Sequence, residues 1–212
     1  MTEFFLNNKK VKAKDDETIW TVAKREGIVL PHLCFADKPG YRADGNCRAC
    51  MVSIEGERVL AASCIRKPTE GMKVVTNDER STKSRKMVLE LLVTDQPDRE
   101  TSHDPDSHFW NVASSVDVAK SRFDKREKTI VPCEDASHVA MSVNLDACIH
   151  CNLCVRACRE VQVNDVIGMG NRGHHSKVIF DFNDPMGDSS CVSCGECVQA
   201  CPTGALMESN LL

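Results

Sequence analysis

Two stretches near the C-terminus share one cysteine spacing. Cysteines lie three, three and four residues apart in "CIHCNLCVRAC", which begins at Cys148, and again in "CVSCGECVQAC", which begins at Cys191. Each cysteine of the first run recurs 43 residues later, so the runs form an internal repeat. Three thiolates at this spacing can bind one 4Fe-4S cluster, and in two-cluster ferredoxins the fourth cysteine of each run ligates the other cluster. The repeat therefore predicts two cubane clusters with crossed ligands.

The crossing assigns four ligands to each cluster. The first 4Fe-4S set is Cys148, Cys151, Cys154 and Cys201, and the second is Cys191, Cys194, Cys197 and Cys158. A zinc-stabilised scaffold is the alternative, but a zinc ribbon does not explain a third and a fourth cysteine in each run. Pro202 follows the second run, whereas Arg159 occupies the equivalent position in the first. This difference suggests that the two clusters differ in reduction potential.

A third set of cysteines lies in the N-terminal part of the chain. Its spacing, C-x12-C-x2-C-x13-C, is looser than that of plant-type ferredoxins, and Gly45 lets backbone amides approach sulfur. We predict a 2Fe-2S site, with zinc as the alternative, formed by Cys34, Cys47, Cys50 and Cys64. One cysteine remains, Cys133. A free thiol is expected there, and the alternative is a further metal site with His103, His108 or His138.

The elements around these cysteines predict an α+β protein. Residues 3–14 read as a hairpin turning at Asn7 and Asn8, followed by a helix in "ETIWTVAKRE" capped by Asp16 and strands in "MVSIEGERVLAAS" and "MKVVT". A second helix is predicted from Glu79 to Asp95. We expect a β-grasp-like 2Fe-2S ferredoxin domain at 1–78, a helical and irregular connector at 79–140, and a bacterial-type two-4Fe-4S ferredoxin-like domain at 141–212.

Composition supports metal ligation over disulfide bonding. The chain has 13 cysteines, an odd number, and a formal net charge of -4. The N-terminus lacks a basic segment followed by an apolar core, and no apolar run is long enough to span a bilayer. We therefore expect a cytoplasmic protein with reduced thiols. The basic residues Arg80, Lys83, Arg85 and Lys86 are expected to form a solvated helix face, and nothing else suggests binding to nucleic acid.

Longer segments around the cysteines resemble a known family. Three of them, "GYRADGNCRACMVSIEGERVLAASC", "NLDACIHCNLCVRACREVQVNDVIGMG" and "KVIFDFNDPMGDSSCVSCGECVQACPTGAL", together resemble the N-terminal iron-sulfur arm of the catalytic subunit of molybdenum- or tungsten-dependent, NAD-linked formate dehydrogenases. The resemblance implies one 2Fe-2S and two 4Fe-4S clusters that relay single electrons between a molybdopterin formate site and a flavin/NAD-binding iron-sulfur subunit. The large iron-sulfur subunit of complex I and the small diaphorase subunit of NAD-reducing hydrogenases are more distantly similar. They imply the alternative function, an electron-transfer subunit of a NAD-linked hydrogenase or of a complex I-like NADH oxidoreductase.

Two departures qualify that resemblance. Many relatives carry an additional 4Fe-4S cluster held by one histidine and three cysteines, but residues 65–147 contain a single cysteine, Cys133. The additional cluster is therefore not expected. The family's catalytic subunit would also continue beyond Leu212 into a pterin-binding domain. We expect no active site within these residues, which are either a separate subunit of an oxidoreductase complex or a fragment of a longer chain.

Overall fold

The N-terminal part of the protein is a mixed sheet with one helix packed against it. In a computed structural model, which describes residues 1–125 and 134–209, the elements of this part are β1 (Thr2–Leu6), β2 (Lys9–Ala13), α1 (Ile19–Arg25), β3 (Met51–Ile54), β4 (Ala61–Ala62) and β5 (Lys73–Val75). The sheet order is β2-β1-β5-β3-β4, and only β1 and β5 pair in parallel. The predicted hairpin is confirmed, since Asn7 and Asn8 form its turn with φ values of 49° and 67°.

The start of α1 differs from the prediction. Thr18 caps the helix, because its hydroxyl accepts a hydrogen bond from the Thr21 N–H while the Thr21 hydroxyl accepts one from the Thr18 N–H. This reciprocal pair satisfies two backbone donors at the helix start. The prediction that Asp16 would be the cap was wrong, since Asp16 lies exposed before the cap. The helix buries Ile19 and Val22 against sheet residues such as Val52.

Two helices follow the sheet and share an apolar core. They are α2 (Glu79–Thr94), close to its predicted bounds, and α3 (His108–Ser115), with a 3-10 turn at Arg99–Thr101 between them. Leu89 and Val93 of α2 pack with Phe109 and Trp110 of α3, and the N-terminal loop contributes Leu33. The residues predicted to be a connector thus carry a core of their own.

The prediction of a solvated basic face on α2 was wrong for one residue. Arg85 is buried, and its guanidinium donates hydrogen bonds to the carbonyl of Thr76 and to the hydroxyl of Ser81. Burial lowers the pKa of Arg85. The side chain therefore ties the end of the N-terminal sheet to α2.

The C-terminal part contains two small sheets and two short helices. Its elements are β6 (Glu134–Asp135), β7 (Met141–Asn144), α4 (Leu153–Arg156), β8 (Ile167–Gly170), β9 (Lys177–Phe180), α5 (Glu196–Ala200) and β10 (Leu206–Glu208). One sheet has the order β10-β7-β6, and β8 pairs with β9 as an antiparallel hairpin. Although β6 precedes residue 141, it pairs with this sheet. The division of the chain at 78 and 140 stays a prediction.

No helix in residues 1–125 or 134–209 has the length and apolar character needed to cross a bilayer.

Candidate metal centres

The four N-terminal cysteines lie in loops next to β3 and β4. Met51 pairs with Ala62, so Cys50, just before β3, and Cys64, just after β4, lie at the same end of this strand pair. Cys34 comes from the loop after α1, and its sulfur accepts a hydrogen bond from the Cys47 N–H at 3.4 Å. Three of the four side chains are buried. The fold therefore brings the four predicted ligands of the 2Fe-2S site together.

Gly45 shapes the loop that carries Cys47. Its φ of +64° lies in the left-handed region that favours glycine, and a Cβ added there would lie 2.8 Å from Cδ1 of Ile65. Arg48 also has a positive φ, 59°. The left-handed backbone at Gly45 and the nearby Ile65 side chain therefore both favour glycine in the loop that carries Cys47.

The thiols of this set lie within hydrogen-bonding distance of one another. Hydrogen bonds from the Cys47 and Cys64 thiols, with backbone N–H groups, hold the pKa of Cys34 well below its usual range. The Cys64 thiol likewise lowers the pKa of Cys50, whereas the pKa values of Cys47 and Cys64 are raised. Thiolates, not thiols, ligate metals. A metal centre bound by these four cysteines would therefore displace the protons that their thiols carry.

The first cysteine run of the C-terminal part lies beside the last cysteine of the second run. Burial raises the pKa of Cys148 to about 11, and the charge of Cys201 acts in the same direction. The pKa values of Cys151 and Cys154 are also raised by burial and then by neighbouring sulfurs, which include Cys201. The fold thus places Cys201 near the three cysteines of the other run.

The second run surrounds a cavity together with the last cysteine of the first run. The cavity is small and partly open to solvent. Its lining contains Cys158, Cys191, Cys194 and Cys197, with apolar side chains such as Met141 and Ile167. A space lined by four sulfurs and apolar groups fits a 4Fe-4S cluster, which needs four thiolates and shelter from water.

Backbone geometry repeats between the two runs. His150 and Ser193, at equivalent positions, have φ values of 53° and 59°, and Asn152 and Gly195 have 62° and 74°. The His150 N–H points to the Cys148 sulfur at 3.5 Å, and the Ser193 N–H points to the Cys191 sulfur at 3.4 Å. Left-handed residues of this kind turn successive N–H groups inward and make anion-binding concavities. Each run therefore surrounds its sulfurs with backbone donors.

Cys158 lies in an unusual helical turn. Residues Ala157–Val161 continue α4 as a π-helix, and the Val166 N–H donates to the Cys158 sulfur at 3.3 Å. Such turns are rare and frequently occur at functional sites. The wider turn carries Cys158 away from its own run and toward the second one.

The histidines considered as ligands of a further metal site have separate partners. His103 contacts Glu134 at 3.2 Å, His108 contacts the His32 carbonyl at 2.8 Å, and His138 contacts Ser193 at 3.0 Å. Cys133 lies outside the described residues. Outside the three cysteine sets, no group of three or more His, Cys, Asp or Glu side chains in the described ranges could hold a further metal ion. The ring of His150 is exposed and contacts the carbonyl of Ser176 at 2.9 Å.

Two residues that connect the cysteine sets were not identified from the sequence. Tyr41, from the N-terminal loop, donates a hydrogen bond to Glu196 at 2.9 Å and packs in the C-terminal core, and burial raises its pKa. Arg156 is buried between the two parts of the molecule. Neither belongs to a spacing pattern, so only the folded structure identifies them.

Comparison with known proteins agrees with this geometry. Residues 1–79 match the family model of a 2Fe-2S iron-sulfur cluster binding domain, and residues 147–205 match that of a 4Fe-4S dicluster domain. The chain joins a 2Fe-2S domain to a 4Fe-4S dicluster domain. The predicted fold class is thereby confirmed. Both domains have the mixed helix and sheet content described above.

The curated relatives are longer oxidoreductases. The chain is 31% identical over 217 aligned residues to the NADP-reducing hydrogenase subunit HndD of Solidesulfovibrio fructosivorans, of which it covers 37%. It is 28% identical to a subunit of an NADH-quinone oxidoreductase of Rhizobium meliloti, covering 24% of it. It is also 28% identical to a putative formate dehydrogenase of Staphylococcus haemolyticus, covering 19% of it. The predicted resemblance is confirmed, and the chain spans about a fifth to somewhat over a third of these relatives.

A solved structure supports the same relationship. The chain superposes on a chain of an NAD+-reducing [NiFe]-hydrogenase, determined in the H2-reduced state, with a TM-score of 0.87 and 27% sequence identity. The match covers 98% of this chain and 87% of the other. The fold of nearly the whole chain therefore also occurs in a chain of this hydrogenase.

Proposed function

We propose that this chain is an electron-transfer arm of an oxidoreductase complex and that it holds three iron-sulfur centres. The ligands would be Cys34, Cys47, Cys50 and Cys64 for a 2Fe-2S cluster, Cys148, Cys151, Cys154 and Cys201 for one 4Fe-4S cluster, and Cys191, Cys194, Cys197 and Cys158 for the other. The observation that carries this proposal is the grouping of twelve cysteines into three spatial sets of four. When bound, the clusters supply one-electron redox chemistry.

The crossed ligation has its own support. Burial raises the pKa values of Cys148 and Cys151, the charge of the nearby Cys201 acts in the same direction, and Cys158 lines the cavity of the second run. A crossed arrangement would bind both halves of the dicluster domain to each other. The cysteines would thus hold the fold as well as the metal.

The three sets follow one another in the molecule. Arg156 donates hydrogen bonds to the carbonyls of both Cys34 and Cys151, so the N-terminal set lies close to the first dicluster set. Cys154 and Cys197 belong to the same buried core, which relates the first dicluster set to the second. Cys194 of the last set is exposed. We infer a relay between the 2Fe-2S site and the exposed end of the dicluster domain that requires no centre in residues 65–147.

The partners at the two ends are proposed from the relatives. A molybdopterin formate dehydrogenase unit at one end and a flavin/NAD-binding iron-sulfur subunit at the other suit the similarity to putative formate dehydrogenases. The second candidate is a NAD(P)-linked hydrogenase, which the similarity to HndD and to the hydrogenase structure favours. We also propose a cytoplasmic location, since the ligand thiols must stay reduced. Cell fractionation, with an antibody that detects the chain, tests this location. Detection of the chain outside the cytoplasm would contradict it.

Metal content tests the electron-transfer proposal directly. The full chain, purified anaerobically, should be brown and contain about ten irons with matching acid-labile sulfide. Dithionite reduction should give separate EPR signals of 2Fe-2S and 4Fe-4S centres. A colourless protein with zinc in place of iron would instead support the structural scaffold.

The choice of partner needs a separate experiment. A tagged copy of the chain should be isolated from its own cells under reducing conditions, and the copurifying metals and proteins should be identified. Molybdenum or tungsten with a pterin supports the formate dehydrogenase assignment. Nickel and iron in a hydrogenase subunit would contradict it and establish the second candidate.

A further inference from the structure

A single arginine connects two of the cysteine sets. The side chain of Arg156 is only 3% exposed. One of its nitrogens, Nη2, donates to the carbonyl of Cys34 at 2.7 Å and to the carbonyl of Cys151 at 3.2 Å. These carbonyls belong to ligand residues of two different proposed centres, which are 117 positions apart in the chain (151 minus 34). One planar group therefore sets the spacing between the two sites.

The remaining donors of Arg156 hold the loop before Cys47. Nη1 donates to the carbonyl of Arg42, and Nε lies 3.2 Å from a carboxylate oxygen of Asp44. Nε also donates to the carbonyl of Asn152 at 3.3 Å, within its own cysteine run. A buried charge is costly unless it is paired and hydrogen-bonded. Arg156 meets this requirement only when the N-terminal loop lies against the dicluster domain.

Neighbouring contacts reinforce the same junction. Arg42 forms a bidentate ion pair with Glu160 at 3.0 to 3.1 Å, and Asn46 donates to the carbonyl of Cys151 at 3.5 Å. These contacts involve exposed side chains, so solvent screens their contribution. Arg156 is the buried one among them, and its charge acts in a region of low dielectric.

The geometry points to Arg156 as a positioning residue for electron transfer: it fixes the 2Fe-2S site against the first 4Fe-4S site and places one positive charge beside both. This inference rests on the proposed cluster sites. Reduction adds an electron to a centre, so a nearby cation favours the reduced form and raises the reduction potential. Asp44, the counter-ion of Arg156, acts in the opposite sense.

Redox titration of the reconstituted full chain, followed by EPR, tests this role. Arg156→Met should shift the potentials of the 2Fe-2S centre and the first 4Fe-4S centre to more negative values. We expect the 2Fe-2S centre and the first 4Fe-4S centre to be magnetically coupled in the wild type, and Arg156→Met should remove this coupling. Arg156→Lys keeps the charge but not the planar set of donors, so it should restore much of the potential shift and little of the coupling.

Two further variants separate charge from structural damage. Asp44→Asn should shift the same two potentials to more positive values, and simple loosening of the fold would not reverse the sign. The matched control is Arg159→Met, because Arg159 is 55% exposed and pairs with Asp165. It should leave the 2Fe-2S centre and the first 4Fe-4S centre unchanged.

The outcomes distinguish this inference from the function on which it rests. A wild-type chain without iron would overturn the cluster sites themselves. A wild-type chain with three centres whose potentials and coupling ignore both Arg156→Met and Asp44→Asn would overturn the role of Arg156 alone. If the Arg156→Met variant does not bind iron, the Asp44→Asn variant tests the role of Arg156 instead. Unchanged or more negative potentials in Asp44→Asn would contradict the proposal.

Discussion

The core between α2 and α3 and the core of the dicluster domain are built from different side chains. The first consists of aliphatic and aromatic residues such as Leu89, Phe109 and Trp110. The second combines apolar side chains such as Phe180 and Met186 with three buried cysteines, and four more cysteines pack against it. Phenylalanine and tryptophan bury much more apolar area than a thiol does. The helical core can therefore be stable through packing alone, whereas the stability of the dicluster core also depends on what its cysteines bind.

Withholding iron should separate the two cores most clearly. Helices α4 and α5 have only four and five residues, too few to persist without tertiary support. We therefore expect them to unfold when no metal is bound. We expect amide protection to be lost across residues 141–209 and retained in α2 and α3, as measured by hydrogen exchange with mass spectrometry. Fluorescence of Trp110 is the internal control. Equal protection of α4 and α5 with and without iron would contradict the difference between the two cores.

Removal of a crossing cysteine should have the next largest effect. Cys201→Ser is expected to cost about four irons and the EPR signal of the first-run centre, although Cys201 lies in the second run. Cys158→Ser should remove the other 4Fe-4S signal. The control is Cys133→Ser, because Cys133 belongs to no predicted set. Loss of the second-run centre in Cys201→Ser would indicate ligation within each run.

A cavity in the helical core should destabilise it without removing metal. Phe109 is fully buried, and Phe109→Ala should lower the free energy of unfolding by about 3–5 kcal/mol. Denaturation by guanidinium, followed through Trp110 fluorescence, measures the change, and iron content should stay at the wild-type value. Leu91→Ala is the matched control, since Leu91 is 50% exposed. A drop in iron content would mean that the two cores are not independent.

The smallest effect is expected in the N-terminal loop. Alanine in a left-handed conformation costs roughly 1–2 kcal/mol, both at Gly45 and at Gly56. Only Gly45→Ala adds a clash with Ile65, because nothing lies within 4 Å of a Cβ at Gly56. Gly45→Ala should therefore reduce 2Fe-2S content, measured by EPR spin quantification, and Gly56→Ala should not. Equal 2Fe-2S content in the two variants would contradict the role assigned to Gly45.

Local patterns predicted local structure well. The Asn7-Asn8 turn, the strands around Gly56 and helix α2 all depend on residues close together in the chain, and the structure contains them. The helix cap was missed because Asp16 and Thr18 are both good capping residues. Thr18 has the additional partner Thr21 three residues later, and this reciprocal pair decides the choice.

The cysteine spacing, together with the elements predicted around it, led to the two kinds of iron-sulfur domain, because a cluster restricts where its ligands can lie. Tertiary structure decided the rest. It placed a core in the predicted connector, buried Arg85 against Thr76, and connected Cys34 to Cys151 through Arg156. These contacts join residues that share no pattern, and an arginine is stable there only once folding supplies buried acceptors for its donors. No spacing rule can express that requirement.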